Sequence, residues 1–149
     1  MASVVVIDSG VFLAGVLEEP LADKANALLK QLLAENIQIA APVLFQYEIV
    51  AVTRKAVFQK RLTIEESIKA RDFILAYGMM FHHDDSLLKR AYDLATELNR
   101  PTAYDTQYLA VAERLNCDFW TADERLFNAA SSQLAWVKWV GNFAHSPES

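Results

Sequence analysis

Short apolar runs alternate with longer amphipathic segments along most of the chain. The apolar runs have the length of buried strands and lie at residues 3–7, 37–41, 79–83, 118–121 and 136–140. Leu, Ala and charged residues recur at helical spacing between them, at residues 21–34, 42–58, 63–77, 84–99 and 103–115, and a short helix begins at Asp123. Strands separated by helices join through right-handed crossovers into a parallel sheet covered on both sides. The pattern therefore predicts an α/β fold: a single three-layer α/β/α domain with a five-stranded, mainly parallel sheet.

Local signals refine the ends of several elements. Thr63 and Glu66 have the spacing of a capping box at the start of one helix. Asp84 or Asp85 is expected to cap the next helix, because a short side-chain oxygen can accept from the free N–H groups of its first turn. Residues 8–10, Asp-Ser-Gly, are predicted to form a loop after the first strand.

Composition and charge limit the class of protein. With 149 residues, 53% of them hydrophobic, the chain can bury the core of one domain, predicted to span residues 1–144 and to end in a disordered tail at 145–149. No basic segment precedes the apolar run at residues 4–7 and Cys117 has no partner cysteine, so we expect a soluble, cytoplasmic protein without membrane contact. The net charge of −5 argues against non-specific coating of nucleic acid but does not exclude a nuclease, because carboxylates of a metal site contribute such charge.

Four acidic side chains occur where a parallel sheet opens a crevice, beyond the carboxyl ends of its strands. Asp8 directly follows the first strand, and Asp123 lies two residues past Thr121 at the end of the fourth. Asp105 lies near the start of its helix in an apolar neighbourhood formed by Tyr104, Tyr108, Leu109 and Ala112. Glu48 lies among apolar side chains on the helix at residues 42–58, so its carboxylate needs a partner.

Each acid has an ordinary structural explanation when it is taken alone. Asp8 would cap a turn, Asp123 would cap a helix, Asp105 would favour a helix dipole and Glu48 would be solvated. Together, four carboxylates would repel by about 3 kcal/mol per pair at about 5 Å and an effective dielectric of about 20, and a bound cation would relieve that repulsion. Oxygen-only ligands indicate Mg²⁺ or Mn²⁺ rather than zinc. We therefore predict Asp8, Asp105 and Asp123 as metal ligands, with Glu48 as a further ligand or as the group that orients an attacking water.

The residues around these acids resemble the PIN-domain family, especially VapC-like toxins. The resemblance lies in residues 6–10 (VIDSG), Glu48, residues 101–113 (PTAYDTQYLAVAE) and residues 120–126 (WTADERL). It implies a five-stranded parallel sheet in which the first and fourth strands are neighbours. It also implies an acidic catalytic and metal-binding set at Asp8, Glu48, Asp105 and Asp123, with Ser9 and Thr121 as supporting hydroxyls. Gly10 departs from the pattern, since many relatives have Asn or Ser there.

The resemblance implies a Mg²⁺-dependent endoribonuclease that hydrolyses RNA phosphodiester bonds and leaves 5′-phosphate and 3′-hydroxyl ends. Such a protein would be the toxin of a VapBC-type toxin–antitoxin system. Its partners would be an RNA substrate, a second copy of the chain in a homodimer, and a small VapB-like antitoxin. The antitoxin would lie between the helices at residues 42–58 and 63–77. A ribose 2′-hydroxyl nucleophile is the competing mechanism to a metal-activated water.

Other functions remain open at this point. The main alternative is an RNA-binding or regulatory PIN domain that does not cleave appreciably. A phosphatase with an aspartyl nucleophile is a further alternative, because Asp8 ends the first strand, but Gly10 stands where such enzymes usually have a second Asp. A receiver-type signalling domain would need an acidic pair at the first strand.

Several other residue groups have both a structural and a functional interpretation. Four basic residues near the end of the second helix either form a solvated helix end or bind RNA phosphates: Arg54, Lys55, Lys60 and Arg61. His82 and His83 are adjacent on a predicted strand, so they face opposite ways and are interpreted as structural. Trp120, Trp136 and Trp139 are expected to pack the core rather than to stack on bases. Phe45, Tyr47 and Phe58 would face an antitoxin or a twin subunit, or pack the core.

Overall fold

A computed structural model describes residues 3–144 of the chain. The strands are β1 (Val4–Ile7), β2 (Gln38–Pro42), β3 (Met80–His82), β4 (Phe119–Thr121) and β5 (Val137–Trp139). The helices are α1 (Ser9–Val16), α2 (Ala22–Ala34), α3 (Leu44–Phe58), α4 (Ile64–Leu75), α5 (Asp85–Glu97), α6 (Thr106–Leu115) and α7 (Glu124–Ala130). A 3₁₀ turn, Val140–Asn142, follows β5. The predicted disordered tail at 145–149 lies outside the described residues.

The five strands form one parallel sheet in the order β3-β2-β1-β4-β5. From β1 the chain builds outward through β2 to β3, and it then returns to the other side of β1 to add β4 and β5. The order of strands therefore reverses between β1 and β4, which are paired at Val6–Phe119 and Ile7–Trp120. This arrangement confirms the predicted five-stranded α/β fold, and it opens the sheet's crevice beyond Ile7 and Thr121.

The centre of the sheet is apolar because helices cover both of its faces. Consecutive residues of β1, which point to opposite faces, are all buried from Val5 to Ile7. α6 packs against β1, β2 and β4, and its buried run reaches from Tyr108 to Ala112. Since the sheet is rigidly packed at this point, the ends of β1 and β4 offer fixed positions for polar side chains.

The prediction of a loop at residues 8–10 is wrong, because α1 begins at Ser9 directly after β1. Asp8 caps this helix by accepting a hydrogen bond from the backbone N–H of Val11 at 3.1 Å. The helix has no polar face: residues from Val11 to Ala14 are all buried. A helix that is apolar on every side shows no amphipathic periodicity, and that absence hides it in the sequence.

Two other boundaries differ from their predictions. The helix expected at residues 103–115 begins only at Thr106, and Asp105 is its N-cap residue rather than part of its first turn. The strand expected at 136–140 is limited to Val137–Trp139.

The capping box before α4 is confirmed, with Thr63 and Glu66 each accepting from the other's backbone N–H. Within residues 3–144, no helix has both the length and the apolar character needed to span a bilayer.

Candidate functional site

The four predicted acids line a single cavity of about 290 Å³ at the reversal of the sheet. Asp8 follows β1 and Asp123 follows β4, while Asp105 stands at the start of α6 and Glu48 lies on α3. Glu19, from the turn before α2, also lines the cavity and was missed as a candidate from the sequence. Side chains that are distant along the chain therefore face one another across a common space.

Asp8 is buried and held on several sides. Its Oδ1 accepts from the backbone N–H groups of Val11 at 3.1 Å and Ala122 at 3.4 Å, and its Oδ2 accepts from the Thr121 hydroxyl at 2.5 Å. Burial raises the pKa of Asp8 to about 7; these hydrogen bonds oppose the rise, and the charge of Asp105 adds to it. The carboxylate is well positioned, but its negative charge is poorly compensated.

Thr121 connects Asp8 to Asp123. Its buried hydroxyl donates to Asp8 and accepts from the backbone N–H of Asp123 at 2.9 Å. Asp123 in turn caps α7, because its Oδ1 accepts from the N–H groups of Arg125 at 2.9 Å and Leu126 at 3.2 Å. The structural interpretation of Asp123 is thus correct, and it is compatible with a place in the cavity wall.

Glu48 is held by two hydroxyl groups from other elements. Its Oε1 accepts from Tyr108 of α6 at 2.5 Å and from Ser9 of α1 at 3.1 Å. Burial raises the pKa of Glu48, with these hydrogen bonds opposing the rise and the charge of Asp105 adding to it. Tyr108 was expected only as an apolar neighbour. Its signal in the sequence was a tyrosine inside a buried run, where the hydroxyl needs a partner.

Asp105 is much less enclosed than Asp8, with 40% of its side chain exposed. Its Oδ2 lies 3.5 Å from the guanidinium of Arg100, which the sequence did not single out. Burial and the charge of Asp123 raise the pKa of Asp105, while Arg100 opposes the rise. The expected apolar neighbourhood is only partly present, since Tyr108 is buried but Tyr104 is 60% exposed.

The donor set fits a hard divalent cation, although the side chains do not form a finished ligand shell. The cavity's acids offer only oxygen, the donor that Mg²⁺ and Mn²⁺ prefer. Burial is the main cause of the raised pKa values of Asp8, Glu48 and Asp105, and repulsion from a neighbouring acid adds to each rise. In residues 3–144, however, no three His, Cys, Asp or Glu side chains are arranged to hold one ion. Binding would therefore require some side-chain movement.

Gly10, the departure from the family pattern, also lines the cavity. A Cβ at this position would lie 3.3 Å from both the Ala122 Cβ and the Asp8 carboxylate, which is closer than most contacts of that kind. A side chain here would therefore press on Asp8 unless the neighbours moved. The glycine leaves Asp8 and its hydrogen bonds undisturbed.

The basic cluster lies along the end of α3 and the following turn, and all four side chains are exposed: Arg54, Lys55, Lys60 and Arg61. Arg61 reaches the cavity's edge, where its guanidinium lies 3.9 Å from Glu19 and 3.4 Å from the Leu17 carbonyl oxygen. This contact links one member of the cluster to the candidate site. The other three have no such contact within the described residues.

The aromatic and histidine candidates separate into core and surface groups. Trp120 packs edge-on against Phe143, and Trp139 packs near Phe127, with ring centroids 5.6 and 6.5 Å apart. Phe45 is buried in the core, which decides between its two interpretations in favour of core packing. Tyr47 and Phe58 are 71% and 84% exposed. His82 ends β3 and His83 follows it, and both lie away from the acidic cavity, beside Pro42 and Leu87.

Comparison with known proteins identifies the family. A PIN-domain sequence profile matches residues 5–131, which include all four acids. The chain is 28% identical over 129 residues to VapC ribonuclease Mb0985 of Mycobacterium bovis and to Ribonuclease VapC9 of Mycobacterium tuberculosis, covering 87% of this chain and 93% of each relative. Its fold is similar to the crystal structure of PAE2754 from Pyrobaculum aerophilum, with a TM-score of 0.67, 20% identity and coverage of 95% and 93% of the two chains. The chain belongs to the PIN domain family.

Proposed function

We propose that this protein is a Mg²⁺-dependent endoribonuclease, with Mn²⁺ as an alternative metal, and that it acts as the toxin of a VapBC-type pair. The observation that carries the proposal is the meeting of four carboxylates in one cavity at the reversal of the sheet. Similarity to relatives named VapC ribonucleases supports RNA as the substrate. The proposal includes a cytoplasmic site of action.

Each acid has a distinct part in the proposed reaction. Asp8, Asp105 and Asp123 provide oxygen ligands, and Asp8 and Asp123 are kept in register by the Thr121 hydroxyl between them. Glu48 either completes the ligand set or orients the water that attacks the phosphodiester. When bound, Mg²⁺ lowers the pKa of a coordinated water and neutralises charge on the phosphate. The protein's own contribution is to bring four carboxyl groups to one cavity, where Arg100 is the one cation that the described residues pair with them.

Substitution of Asp105 tests the proposal directly. We expect Asp105→Asn to abolish Mg²⁺-dependent cleavage of structured RNA, because the amide removes a ligand charge while leaving the exposed position and the fold intact. The matched control is Asp118→Asn, an exposed acid before β4 at the opposite edge of the sheet, which should cleave normally. Cleavage is measured with end-labelled RNA under single-turnover conditions. Full activity of Asp105→Asn, or full activity in excess chelator, contradicts the proposal.

The same assay distinguishes the two nucleophiles. An RNA with 2′-deoxyribose only at the cut site should still be cleaved, because hydrolysis by water does not use the neighbouring 2′-hydroxyl. The products should carry 5′-phosphate and 3′-hydroxyl ends. Loss of cleavage on that substrate would favour attack by the 2′-hydroxyl instead.

An RNA-binding or regulatory role without cleavage is the second candidate. One observation favours it, namely that the described residues contain no three side chains already arranged around a metal position. Such a protein would shift the mobility of RNA in a gel and leave it intact, whatever metal is supplied. Cleavage that depends on Asp105 excludes this alternative.

We also propose partners for the exposed surface around α3 and α4. Large apolar side chains exposed there include Tyr47, Phe58, Ile64 and Phe73, at 71%, 84%, 60% and 65%. A VapB-like antitoxin and a second copy of the chain are the proposed occupants. Light scattering of the protein alone, and then with the product of a neighbouring reading frame, separates them.

The basic cluster beside this surface is proposed to bind RNA phosphates, and weaker RNA binding with rising salt would support that role.

A further inference from the structure

We propose that Tyr108 is a positioning residue, which holds Glu48 so that one carboxylate oxygen is fixed and the other faces the cavity. This inference rests on the proposed metal-dependent function of the site. Tyr108 and Ser9 both donate to Oε1 of Glu48, at 2.5 and 3.1 Å. Within the described part of the chain, Oε2 of Glu48 has no hydrogen-bond partner. Oε2 is therefore the oxygen offered to a cation or to the attacking water.

The direction of the hydrogen bonds follows from the groups involved. The Tyr108 hydroxyl accepts from the backbone N–H of Ser9 at 3.3 Å, and a backbone N–H can only donate. The hydroxyl's own proton is thus free for Glu48, whose ionised oxygens can only accept. Ser9 contributes twice, through its backbone to Tyr108 and through its side chain to Glu48. Ser9, Glu48 and Tyr108 are thus joined pairwise by three hydrogen bonds, which connect α1, α3 and α6.

Tyr108 can position Glu48 because its own ring cannot move easily. The side chain is 1% exposed, and the ring stacks on Phe119 of β4 with centroids 5.8 Å apart and an interplanar angle of 19°. Glu48, in contrast, is half-buried and has several rotatable bonds. Without a fixed donor its carboxylate would populate rotamers that point into solvent. Ordering it again on each binding event would cost conformational entropy.

The competing explanation is that Glu48 only satisfies a buried hydroxyl. In that case the hydrogen bond would stabilise the fold, and removing the hydroxyl would not affect the cavity's ligand properties. The two explanations predict different results for metal binding. They also differ on whether the effect of removing the Tyr108 hydroxyl requires an intact Glu48.

The experiment uses Tyr108→Phe, which keeps the stacked ring and removes only the hydroxyl. We expect the Mn²⁺ affinity, measured by titration calorimetry, and the single-turnover cleavage rate at saturating RNA each to fall about 10- to 100-fold, the usual range for groups that orient metal ligands. RNA affinity in chelator should stay within about twofold, since the substitution removes none of the basic side chains proposed to bind phosphates. Tyr77→Phe is the matched control: its ring packs edge-on against Phe12 at 5.0 Å, and it lies outside the cavity.

A double-substitution test separates positioning from an independent effect. In a Glu48→Gln background, Tyr108→Phe should cause no further loss of Mn²⁺ affinity or rate, because the group it acts through has already been changed. An equal loss in both backgrounds overturns the inference, as does a Tyr108→Phe variant with normal Mn²⁺ affinity and rate. If that variant fails to fold, Ser9→Ala removes the longer hydrogen bond to Oε1 and leaves that of Tyr108. A fall in Mn²⁺ affinity of less than about 10-fold is then expected, and a larger fall overturns the inference because it assigns the positioning to Ser9.

Failure of the inference can be told from failure of the proposed function. If the unmodified protein binds Mn²⁺ but cleaves no RNA, the nuclease proposal fails, and the drop in Mn²⁺ affinity of Tyr108→Phe still decides the role of Tyr108. If the unmodified protein cleaves RNA and Tyr108→Phe is unchanged in both measurements, only the inference fails. A protein that neither binds Mn²⁺ nor cleaves overturns both.

Discussion

The two sides of the acidic cavity hold their carboxylates in different ways. Asp8, at the end of β1, is buried and accepts three hydrogen bonds, two from backbone N–H groups and one from Thr121. Asp105, at the start of α6, is 40% exposed and is paired with Arg100 at 3.5 Å. We call the wall around Asp8, at the centre of the sheet, the sheet side of the cavity. The wall around Asp105, at the start of α6 after an irregular turn, is the helix side.

This difference indicates where a bound cation would change the protein. Asp8 is already in position, so the main obstacle on its side is electrostatic: a negative charge buried without a counterion. Asp105 has a counterion, which a metal would have to replace. We therefore expect substitutions around Asp8 mainly to change the free energy of unfolding. Substitutions around Asp105 should mainly change the affinity for metal.

The largest effect is expected for Asp8→Asn, measured as unfolding free energy in chelator between pH 5 and 8. The pKa of Asp8 rises from 3.8 in the unfolded chain to about 7 when folded. Its protonated form therefore stabilises the fold at low pH, and this stabilisation is lost progressively between about pH 4 and about pH 7. The full shift corresponds to about 4 kcal/mol at most, of which about 3 kcal/mol falls between pH 5 and pH 7. Asparagine carries no such charge, so the variant should gain stability relative to the unmodified protein as the pH rises.

The matched control is Asp84→Asn. Arg114 and the N–H of Leu87 hold the pKa of Asp84 at about 2, below its usual value, so this acid stays ionised across the whole range. Its substitution should shift stability by the same amount at pH 5 and at pH 8. Urea denaturation at four pH values provides the measurement. Parallel curves for Asp8→Asn and the unmodified protein would show that Asp8 is not buried as an unbalanced charge.

A smaller effect is expected for Thr121→Val. The substitution keeps the shape of the buried side chain but removes the hydroxyl that donates to Asp8 and accepts from the Asp123 N–H. Loss of these hydrogen bonds should lower the unfolding free energy by about 1–3 kcal/mol. Thr96→Val, on the exposed face of α5, is the control and should change stability by less than about 0.5 kcal/mol. Unchanged stability of Thr121→Val would mean that the hydroxyl does not join the two acids.

The sheet side was also the more predictable side from sequence. Asp8 directly follows β1 and Asp123 lies two residues past the end of β4, so the rule that sites lie at strand ends was sufficient to select them as candidates. β1 was predicted correctly because it is a continuous β-branched run, which is typical of buried parallel strands. The order of the strands was not derivable from periodicity. The resemblance to PIN domains supplied only the pairing of β1 with β4, and that pairing is what brings Asp8 beside Asp123.

The contact that holds Glu48 could not be predicted because it joins residues far apart in the chain. The hydroxyl that holds Glu48 comes from Tyr108, 60 residues away, and no local pattern encodes such a meeting. Arg100 was overlooked because an arginine at a helix end is usually solvated. α1 was missed for a different reason. Its uniformly apolar sequence lacks the polar face by which surface helices are recognised.

The smallest expected effect is a gain of Mn²⁺ affinity in Arg100→Gln. If Asp105 is a metal ligand, the guanidinium is the group that it would have to release. The backbone N–H of Arg100, which donates to the Ala95 carbonyl, is unaffected by the change. Partly exposed ion pairs contribute about 0.2–1 kcal/mol, so removing the competitor should raise affinity by up to about fivefold. The control, Arg90→Gln, breaks a pair with Glu113 outside the cavity and should leave Mn²⁺ binding unchanged. Reduced affinity in Arg100→Gln would instead mean that the arginine holds Asp105 in its binding position, and the helix side would then be as firmly prepared for metal as the sheet side.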